Sequence, residues 1–359
     1  MTSNLTLNIF HKVVATLLAV TLIPLCTLWY VANNTAEREL RANISQNLVA
    51  TSDTAAARIN GWDDSNLRML RQAGRLNDIT GMKSDRQVPV LTAIGQAYDS
   101  YLVFTIAPDG KNIARNDGGA LVSYADRSYF KDVMKGAPVG RQVVISKTTG
   151  KPSLLLGSPI RNEKDELIGV LAMGLNLSDI SQAVTNARVG KTGSAILLDA
   201  TNKVIAHSDA QQVKTALQDL SDHSALKTPG ISEAPQAYEN DGKEMIGYMR
   251  KLPKGWTLLV EQEYDEAFAP LNTMKRNGRI LIIITVVLVV GIAYLLGKAL
   301  TRPINELTVI ADKLSKGDFD VSFTHNQRGD EIGSLSRAIE RLGISIKLAM
   351  DRLRSKASA

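Results

Sequence analysis

The stretch that decides the fold is Tyr101-Leu-Val-Phe-Thr-Ile106, followed by Ala107-Pro-Asp-Gly110 and Lys111-Asn-Ile-Ala-Arg115. β-Branched and aromatic residues on both sides of a Pro-Asp-Gly turn are typical of a β-hairpin. Residues 194–207 repeat this strand, turn, strand plan in shorter form. The repeat favours two small α+β modules in series over one large sheet, although divergent hairpins can also mimic a repeat.

Further apolar runs supply the other predicted strands of each module. Residues 153–160 and 167–173 follow the first hairpin, and residues 245–249 and 256–261 follow the second. Short turns with charged residues or Pro and Gly separate the members of each pair, which indicates antiparallel neighbours. We therefore expect two antiparallel sheets with helical and loop segments packed on them.

A long helix is predicted upstream of the first module, over residues 33–77. This segment contains no Pro, and its apolar residues recur at helical spacing, as at Leu40, Ile44, Leu48 and Ile59. The helix is expected either to continue the preceding apolar segment outward or to be an ordinary domain helix.

Two uncharged apolar segments, residues 13–32 and 280–297, bracket these modules. Each is long enough as a helix to cross a hydrocarbon core of about 30 Å. A cleaved signal peptide is the alternative for the first, but bulky residues in Trp29-Tyr30-Val31-Ala32-Asn33 stand where cleavage needs small ones. A buried core helix is the alternative for the second, but basic residues flank it on both sides. The sequence therefore predicts two transmembrane helices.

Two heptad patterns follow the second apolar segment. Apolar a/d residues recur at Ile304, Leu307, Ala311 and Leu314, and again at Ile332, Leu335, Ile339, Leu342, Ile346, Ala349 and Leu353. Helices with such a seam pair along it, and two short ones are too small for a core of their own. We expect a homodimer in which they form a parallel four-helix bundle, with Pro303 bending the junction to the preceding helix.

The order of these elements resembles the double Cache sensor domains of bacterial chemoreceptors and sensor kinases. The similarity covers residues 33–279 and rests on Asp126-Arg-Ser-Tyr-Phe-Lys131, Thr149-Gly-Lys-Pro152, Pro159-Ile160 and Leu167-Ile-Gly-Val-Leu171. Residues 300–307 (Leu-Thr-Arg-Pro-Ile-Asn-Glu-Leu) and 330–333 (Asp-Glu-Ile-Gly) resemble the two ends of a HAMP signal-relay domain. Because HAMP domains are cytoplasmic, the resemblance places the sensor outside a bacterial inner membrane.

The resemblance implies an α+β fold in which a long N-terminal helix carries two PAS-like antiparallel-sheet modules. The expected boundaries are a cytoplasmic N-terminus (1–12), transmembrane helix 1 (13–32), a sensor (33–279) with a distal module (about 78–185) and a proximal module (about 186–265), transmembrane helix 2 (280–297), HAMP (298–352) and a tail (353–359). The residues expected to relay the signal are Pro303, Ile304, Leu307, Glu331, Ile332 and Leu335.

The Asp126–Phe130 string predicts the ligand. In amino-acid-binding members of the family, an Arg and a nearby aromatic residue hold the ligand carboxylate, and a later Asp holds its ammonium group. Arg127 matches the first, whereas Gly174 stands where the Asp is expected. A guanidinium beside tyrosines remains a good carboxylate clamp, so we predict a small organic anion. The candidate ligand-binding residues are Arg127 and Tyr129, with Tyr101, Phe130, Ser146 and Lys151; the alternative is that Arg127 forms a structural salt bridge with Asp126 or Asp132.

Composition and short motifs disfavour several other functional classes. The net charge of +6 over 359 residues includes no long basic run, which disfavours nucleic-acid binding. Cys26 is the only cysteine and lies in an apolar segment, and the four histidines are widely spaced, so the sequence supports neither thiol catalysis nor a metal site. No phosphate loop, zinc-protease motif or nucleophile elbow occurs, and we predict neither enzymatic activity nor a cofactor.

We therefore expect a chemotaxis-type receptor that relays ligand binding through the second transmembrane helix to HAMP. Its cytoplasmic output would come from a further domain of a longer receptor or from a separate partner such as a kinase, cyclase or phosphatase. A membrane solute-binding protein that does not signal is a third possibility, disfavoured by the heptad seams, which a binding protein does not need.

Overall fold

The computed structural model of the chain describes residues 9–98, 100–213 and 217–357. The chain forms two compact units, residues 38–270 and the combination of residues 1–37 with 271–359. The predicted N-terminal segment 1–12 and tail 353–359 fall partly outside the described residues.

The N-terminal part is one long helix, α1 (Ile9–Ala73). It includes both the first apolar segment and most of the helix predicted downstream of it. Within unit 38–270 its apolar stripe is buried, with Leu48, Ile59 and Leu70 each fully inaccessible. Two further helices, α2 (Asn77–Thr80) and α3 (Ser84–Ala97), lead into the first sheet.

The distal sheet has five antiparallel strands in the order β2-β1-β5-β4-β3. They are β1 (Leu102–Ile106), β2 (Asn112–Arg115), β3 (Gly140–Ile145), β4 (Pro152–Arg161) and β5 (Leu167–Asn176). Helix α4 (Ser128–Met134) lies between β2 and β3 in the chain, and α5 (Leu177–Thr185) follows β5.

The proximal sheet repeats this topology in the order β7-β6-β10-β9-β8. Its strands are β6 (Ser194–Leu198), β7 (Val204–His207), β8 (Gln236–Asn240), β9 (Lys243–Lys251) and β10 (Thr257–Glu263), with α6 (Ser224–Lys227) between β7 and β8. The identical strand order confirms the predicted α+β fold with two antiparallel modules.

The edge strands β3 and β8 were not predicted from the sequence. Both have polar side chains near their start, including Arg141 and Gln142 in β3 and Gln236 in β8. An edge strand has a neighbour on one side only and is often polar, so it lacks the apolar pattern of the central strands.

The distal sheet is covered on both faces. On one face Thr105 Oγ1 donates to Gln87 Oε1 of α3 at 2.5 Å, and Gln87 Nε2 donates to the Ile79 carbonyl at 2.8 Å. On the other face α4 lies so close to β3 that a Cβ added at Gly140 would come within 1.9 Å of the Tyr129 carbonyl oxygen. The glycine is therefore required for α4 to reach the sheet.

The helical segment that follows the proximal sheet continues from the first unit into the second. After the short α7 (Tyr264–Ala267) come α8 (Ala269–Leu296), a five-residue π-helical turn (Gly297–Thr301), α9 (Arg302–Ser315) and α10 (Glu331–Ala357). Within this unit α1 and α8 are neighbours, since Lys275 Nζ lies 3.4 Å from Glu37 Oε2 and a Cβ at Gly278 would overlap the Trp29 ring.

Candidate functional site

Buried tyrosines and an arginine gather on the α4 side of the distal sheet. The floor is built from β1 and β5 residues such as Phe104 and Ala172, and α4 and the residues just before it form the cover. In this layer four side-chain atoms are buried and have no hydrogen-bond partner among the residues that the structure describes: the hydroxyls of Tyr101, Tyr124 and Tyr129 and Nε of Arg127. We call these four residues the distal polar cluster.

Arg127 is only weakly engaged by the protein. Its side chain is 16% exposed, its Nη2 donates to the Ile145 carbonyl at 3.5 Å, and its Nε is 3.9 Å from Asp126 Oδ2. Asp126 also pairs with Lys147, at the shorter distance of 2.8 Å, so its ion pair with Arg127 is the weaker of the two, and the described part of the chain contains no ion pair between Arg127 and Asp132. The guanidinium therefore keeps donor capacity that a buried cation normally uses.

Tyr129 is the most deeply placed member of the cluster. It lies in α4 with no solvent exposure, and its ring edge faces Gly157 of β4. Burial raises the pKa of the Tyr129 phenol well above its usual range, and the neighbouring Tyr124 phenol raises it further. The hydroxyl therefore stays protonated and can donate a hydrogen bond at any physiological pH.

A second cation, Arg115, lies close enough to the Tyr124 phenol to affect its pKa. The Tyr124 ring stacks at a tilt on Phe104, 4.6 Å between centroids, and burial raises the pKa of its phenol while Arg115 opposes that rise. Arg115 itself is committed, because its side chain is 4% exposed and pairs with Asp117 at 2.7 Å. Asp117 thus neutralises the charge of Arg115, whereas the charge of Arg127 is only weakly compensated.

Gly174 lies directly beneath Tyr101. The two central strands place Gly174 opposite Leu102 and Leu155, and a Cβ at this position would lie 2.7 Å from both Cζ and the hydroxyl of Tyr101. A carboxylate side chain at position 174 would need the same space as the Tyr101 ring. The tyrosine hydroxyl therefore takes the place that an acidic residue would occupy.

The second unit contains a polar junction between its helices. Pro303 has no N–H, so it leaves the carbonyl of Ala299, four residues earlier, without its helical donor. Arg328 Nη2 donates to that carbonyl at 3.3 Å and also pairs with Asp330 at 2.6 Å. Asp330 in turn caps α10 by accepting from the Gly333 N–H at 3.1 Å. The end of the second apolar helix and the start of α10 are thus joined through one arginine.

The predicted relay residues near this junction differ in exposure. Leu307 and Ile332 are buried, at 1% and 8% exposure, and Pro303 is buried as well. Ile304 and Leu335 are 38% and 46% exposed, and Glu331 is exposed in the first turn of α10. Two of the apolar a/d residues therefore pack within the protomer and two present an apolar surface.

Two helices in the described residues are long and apolar enough to cross a bilayer, His11–Ala73 and Ala269–Ser315. Only 11% of the apolar window of the second is buried within the protein. A core helix of a soluble domain would be mostly buried, so this low burial argues against that alternative.

Comparison with known proteins identifies the two regions. The family model described as a Cache domain matches residues 32–271, well over half of the chain. The chain belongs to the Cache domain family. A HAMP domain model matches residues 295–347, so the predicted combination of a Cache sensor with HAMP is confirmed.

The sequence relatives are chemotaxis receptors. The chain is 24% identical over 367 residues to methyl-accepting chemotaxis protein McpA of Pseudomonas putida, covering 96% of this chain and 55% of McpA. It is 25% identical over 192 residues to McpC of Bacillus subtilis, covering 54% of this chain and 28% of McpC. The chain thus spans about half or less of the length of these curated relatives.

Solved structures share the fold of the Cache region. The ligand-binding domain of the Pseudomonas fluorescens chemoreceptor CtaA, in complex with L-isoleucine, aligns with a TM-score of 0.53 at 16% identity, over 67% of this chain and 99% of that domain. The sensory domain of the Campylobacter jejuni chemoreceptor Tlp3, with isoleucine bound, aligns with a TM-score of 0.51 at 14% identity, over 64% and 96%. At such identities the likeness establishes the fold.

Within the Cache region, three of the six predicted ligand residues meet in the distal polar cluster: Arg127, Tyr129 and Tyr101. Phe130 lies in the same buried layer at 5% exposure. Ser146 and Lys151 are at the two ends of the β3–β4 turn, which borders the cluster where Ile145 accepts from Arg127. Ser146 Oγ accepts from the Thr148 and Thr149 N–H groups, and Lys151 is exposed.

Sequence reasoning missed Tyr124 and Arg115. Tyr124 stands only two residues before the Asp126–Phe130 string, so its proximity to that string was a usable signal. Arg115 is the last residue of β2, and its place in this layer depends on strand pairing that the sequence alone does not reveal.

Proposed function

We propose that this chain is the sensing and membrane-spanning part of a chemotaxis-type receptor of the bacterial inner membrane. Its distal Cache module binds a small organic anion, and Arg127 with the hydroxyls of Tyr101, Tyr124 and Tyr129 holds the carboxylate. The observation that carries the proposal is the distal polar cluster itself, four buried polar atoms without a hydrogen-bond partner in the described part of the chain.

The chemistry of this cluster favours an acceptor-rich ligand. A guanidinium has only donors, and a protonated phenol donates one hydrogen bond, so a carboxylate with two oxygens complements all four groups. Leaving such groups unpaired inside a protein costs about 1–3 kcal/mol each, and this is the free energy that a fitting anion recovers.

An amino acid is the second candidate, because amino acids are bound in the related domains of CtaA and Tlp3. An ammonium group needs a carboxylate or several carbonyl oxygens beside it. Here Tyr101 covers Gly174, and Asp126 and Asp117 are already paired with Lys147 and Arg115. These pairings favour an anion without an ammonium group.

Signalling follows from differential affinity. A ligand that prefers one conformation of the sensor by about 100-fold supplies about 2.7 kcal/mol to shift the equilibrium. We propose that this free energy moves α8 against its neighbour and changes the packing of the HAMP helices in a homodimer, for which Ile304 and Leu335 offer exposed apolar surface. The output then passes to a cytoplasmic domain or partner protein, and the chain itself performs no catalysis.

The test is ligand binding by the full chain in lipid nanodiscs. Calorimetry against mono- and dicarboxylates and amino acids should give saturable binding of a carboxylate, which Arg127→Ala abolishes and Arg127→Lys weakens. Arg86→Ala is the matched control, because the Arg86 side chain is 66% exposed and pairs only at 3.8 Å with Asp78. The proposal fails if no carboxylate binds, or if Arg127→Ala binds as well as Arg86→Ala. A pull-down with residues 298–359 tests for a separate cytoplasmic partner.

A further inference from the structure

A second cationic site lies on α1, apart from the distal polar cluster. A cavity of about 450 Å³ is lined there mainly by charged side chains: Asp64, Arg68, Arg71, Arg75, Arg141 and Lys254. We call it the basic groove. Its volume lies within the range of small-molecule sites. Five of these six side chains are cationic, so the groove carries a clear excess of positive charge.

Three arginines at the C-terminal end of α1 have no acidic partner among the described residues. Arg68 and Arg71 lie on the last turns of α1, Arg75 lies in the turn just after it, and all three are exposed. None of them makes an ion pair or a side-chain hydrogen bond with any described residue. Cations near a helix C-terminus also interact favourably with the helix dipole. That effect does not explain why Arg141 and Lys254, from outside α1, line the same cavity.

Those two cations come from different modules and meet at one carboxylate. Asp63 of α1 has no solvent exposure, and its Oδ2 is 2.9 Å from Arg141 Nη2 of β3 and in contact with Lys254 Nζ. Lys254 is in the turn between β9 and β10 and has a φ of 78°, an uncommon conformation for a residue with a side chain. Lys254 Nζ also lies 3.6 Å from Asp64 Oδ1, so two carboxylates balance these two cations, and the net positive charge of the groove comes from Arg68, Arg71 and Arg75.

We infer that the basic groove binds a small oxyanion with at least two negative charges, such as phosphate or a tricarboxylate. Arginine forks match the oxygens of phosphate and carboxylate groups equally well, so both share the required chemistry. The bound anion contacts α1, the distal module through Arg141 and the proximal module through Lys254. It acts as a second ligand that fixes the two modules relative to α1, independently of the carboxylate in the distal polar cluster.

The experiment titrates the full chain in nanodiscs with inorganic phosphate, citrate and acetate at constant ionic strength. All variants carry Arg127→Ala, so that the distal polar cluster does not contribute. Arg71→Ala/Arg75→Ala removes two groove cations, and Arg86→Ala/Arg161→Ala removes the same charge elsewhere in the distal module. We expect saturable binding of phosphate, citrate or both in the control pair, weakened about tenfold or more in the groove pair, since hydrogen bonds to charged groups are worth about 1.5–3 kcal/mol.

The three probes separate the ligand classes. Binding of citrate alone assigns the groove to polycarboxylates, binding of phosphate alone assigns it to phosphate, and binding of both assigns it to multivalent oxyanions in general. The inference is overturned if neither probe binds, if both pairs bind equally, or if acetate binds as tightly as the multivalent anions. None of these results bears on the distal polar cluster, because Arg127 is absent throughout.

Discussion

Replacing Tyr129 by Phe tests whether the distal polar cluster is built for a ligand or for stability. The substitution removes only the hydroxyl and keeps a ring that has no solvent exposure. Because that hydroxyl has no hydrogen-bond partner among the described residues, the ligand-free sensor should become more stable. If the hydroxyl stabilised the fold, removing it would make the ligand-free sensor less stable.

The magnitude follows from the burial. An unpaired buried hydroxyl costs about 1–3 kcal/mol, so Tyr129→Phe should raise the free energy of unfolding by about 1–2 kcal/mol. For a domain of this size that corresponds to a rise in the melting temperature of about 2–4 °C per kcal/mol. Affinity for a bound carboxylate should fall about tenfold or more, since a hydrogen bond to a charged group contributes about 1.5–3 kcal/mol.

The assay is thermal and urea unfolding of the full chain without ligand, compared with Tyr238→Phe. Tyr238 is the matched control in the proximal module, because its hydroxyl donates to Glu261, a carboxylate that is 6% exposed. Tyr238→Phe leaves that carboxylate with one donor fewer and should lower stability by about 1.5–3 kcal/mol. A Tyr129→Phe variant that is destabilised to a similar degree would refute the reasoning.

Three further predictions concern packing, pH and charge. Gly140→Ala should lower the free energy of unfolding by at least 3 kcal/mol, because the new methyl would overlap the Tyr129 carbonyl. Gly61 on α1 faces open space, so the control Gly61→Ala should be neutral or stabilising in the same thermal melts. His207→Gln should flatten the pH dependence of stability between neutral and mildly acidic pH. Asp63→Ala should lower stability by about 3–5 kcal/mol, measured by urea unfolding, because it removes a fully buried carboxylate that pairs with Arg141 and Lys254.

The sign of the pH effect follows from burial. Desolvation lowers the pKa of His207 below its usual 6.5, so the folded state favours the neutral imidazole. On acidification, His207 therefore takes up a proton at a higher pH in the unfolded chain than in the folded one. The contribution of neutral His207 to the free energy of unfolding is complete above about pH 6.5 and is lost as the pH falls toward the pKa of the folded state. A wild-type melting temperature that stays constant or rises on acidification from pH 7 would contradict this, as would an unchanged slope in His207→Gln.

How much the sequence predicted depended on how local each signal is. The central strands were predicted because a run such as residues 102–106 shows its burial in its own composition. The edge strand β3 was missed, since Arg141 and Gln142 are polar and their pairing with β4 is a contact between distant segments. Arg127 and Tyr129 were predicted from one short string.

Local patterning by itself determined the order of elements: a long helix, two repeated sheets, two apolar spans and heptad helices. Apolar residues recur about every two positions in strands and every three or four in helices, so the type of each element can be read from neighbouring residues. Only the tertiary structure decided which polar groups meet. The β1–β5 pairing sets Tyr101 over Gly174, and Asp63 meets Lys254 from 191 residues away. Such meetings depend on strand register and on sheet and helix packing, which no local period encodes.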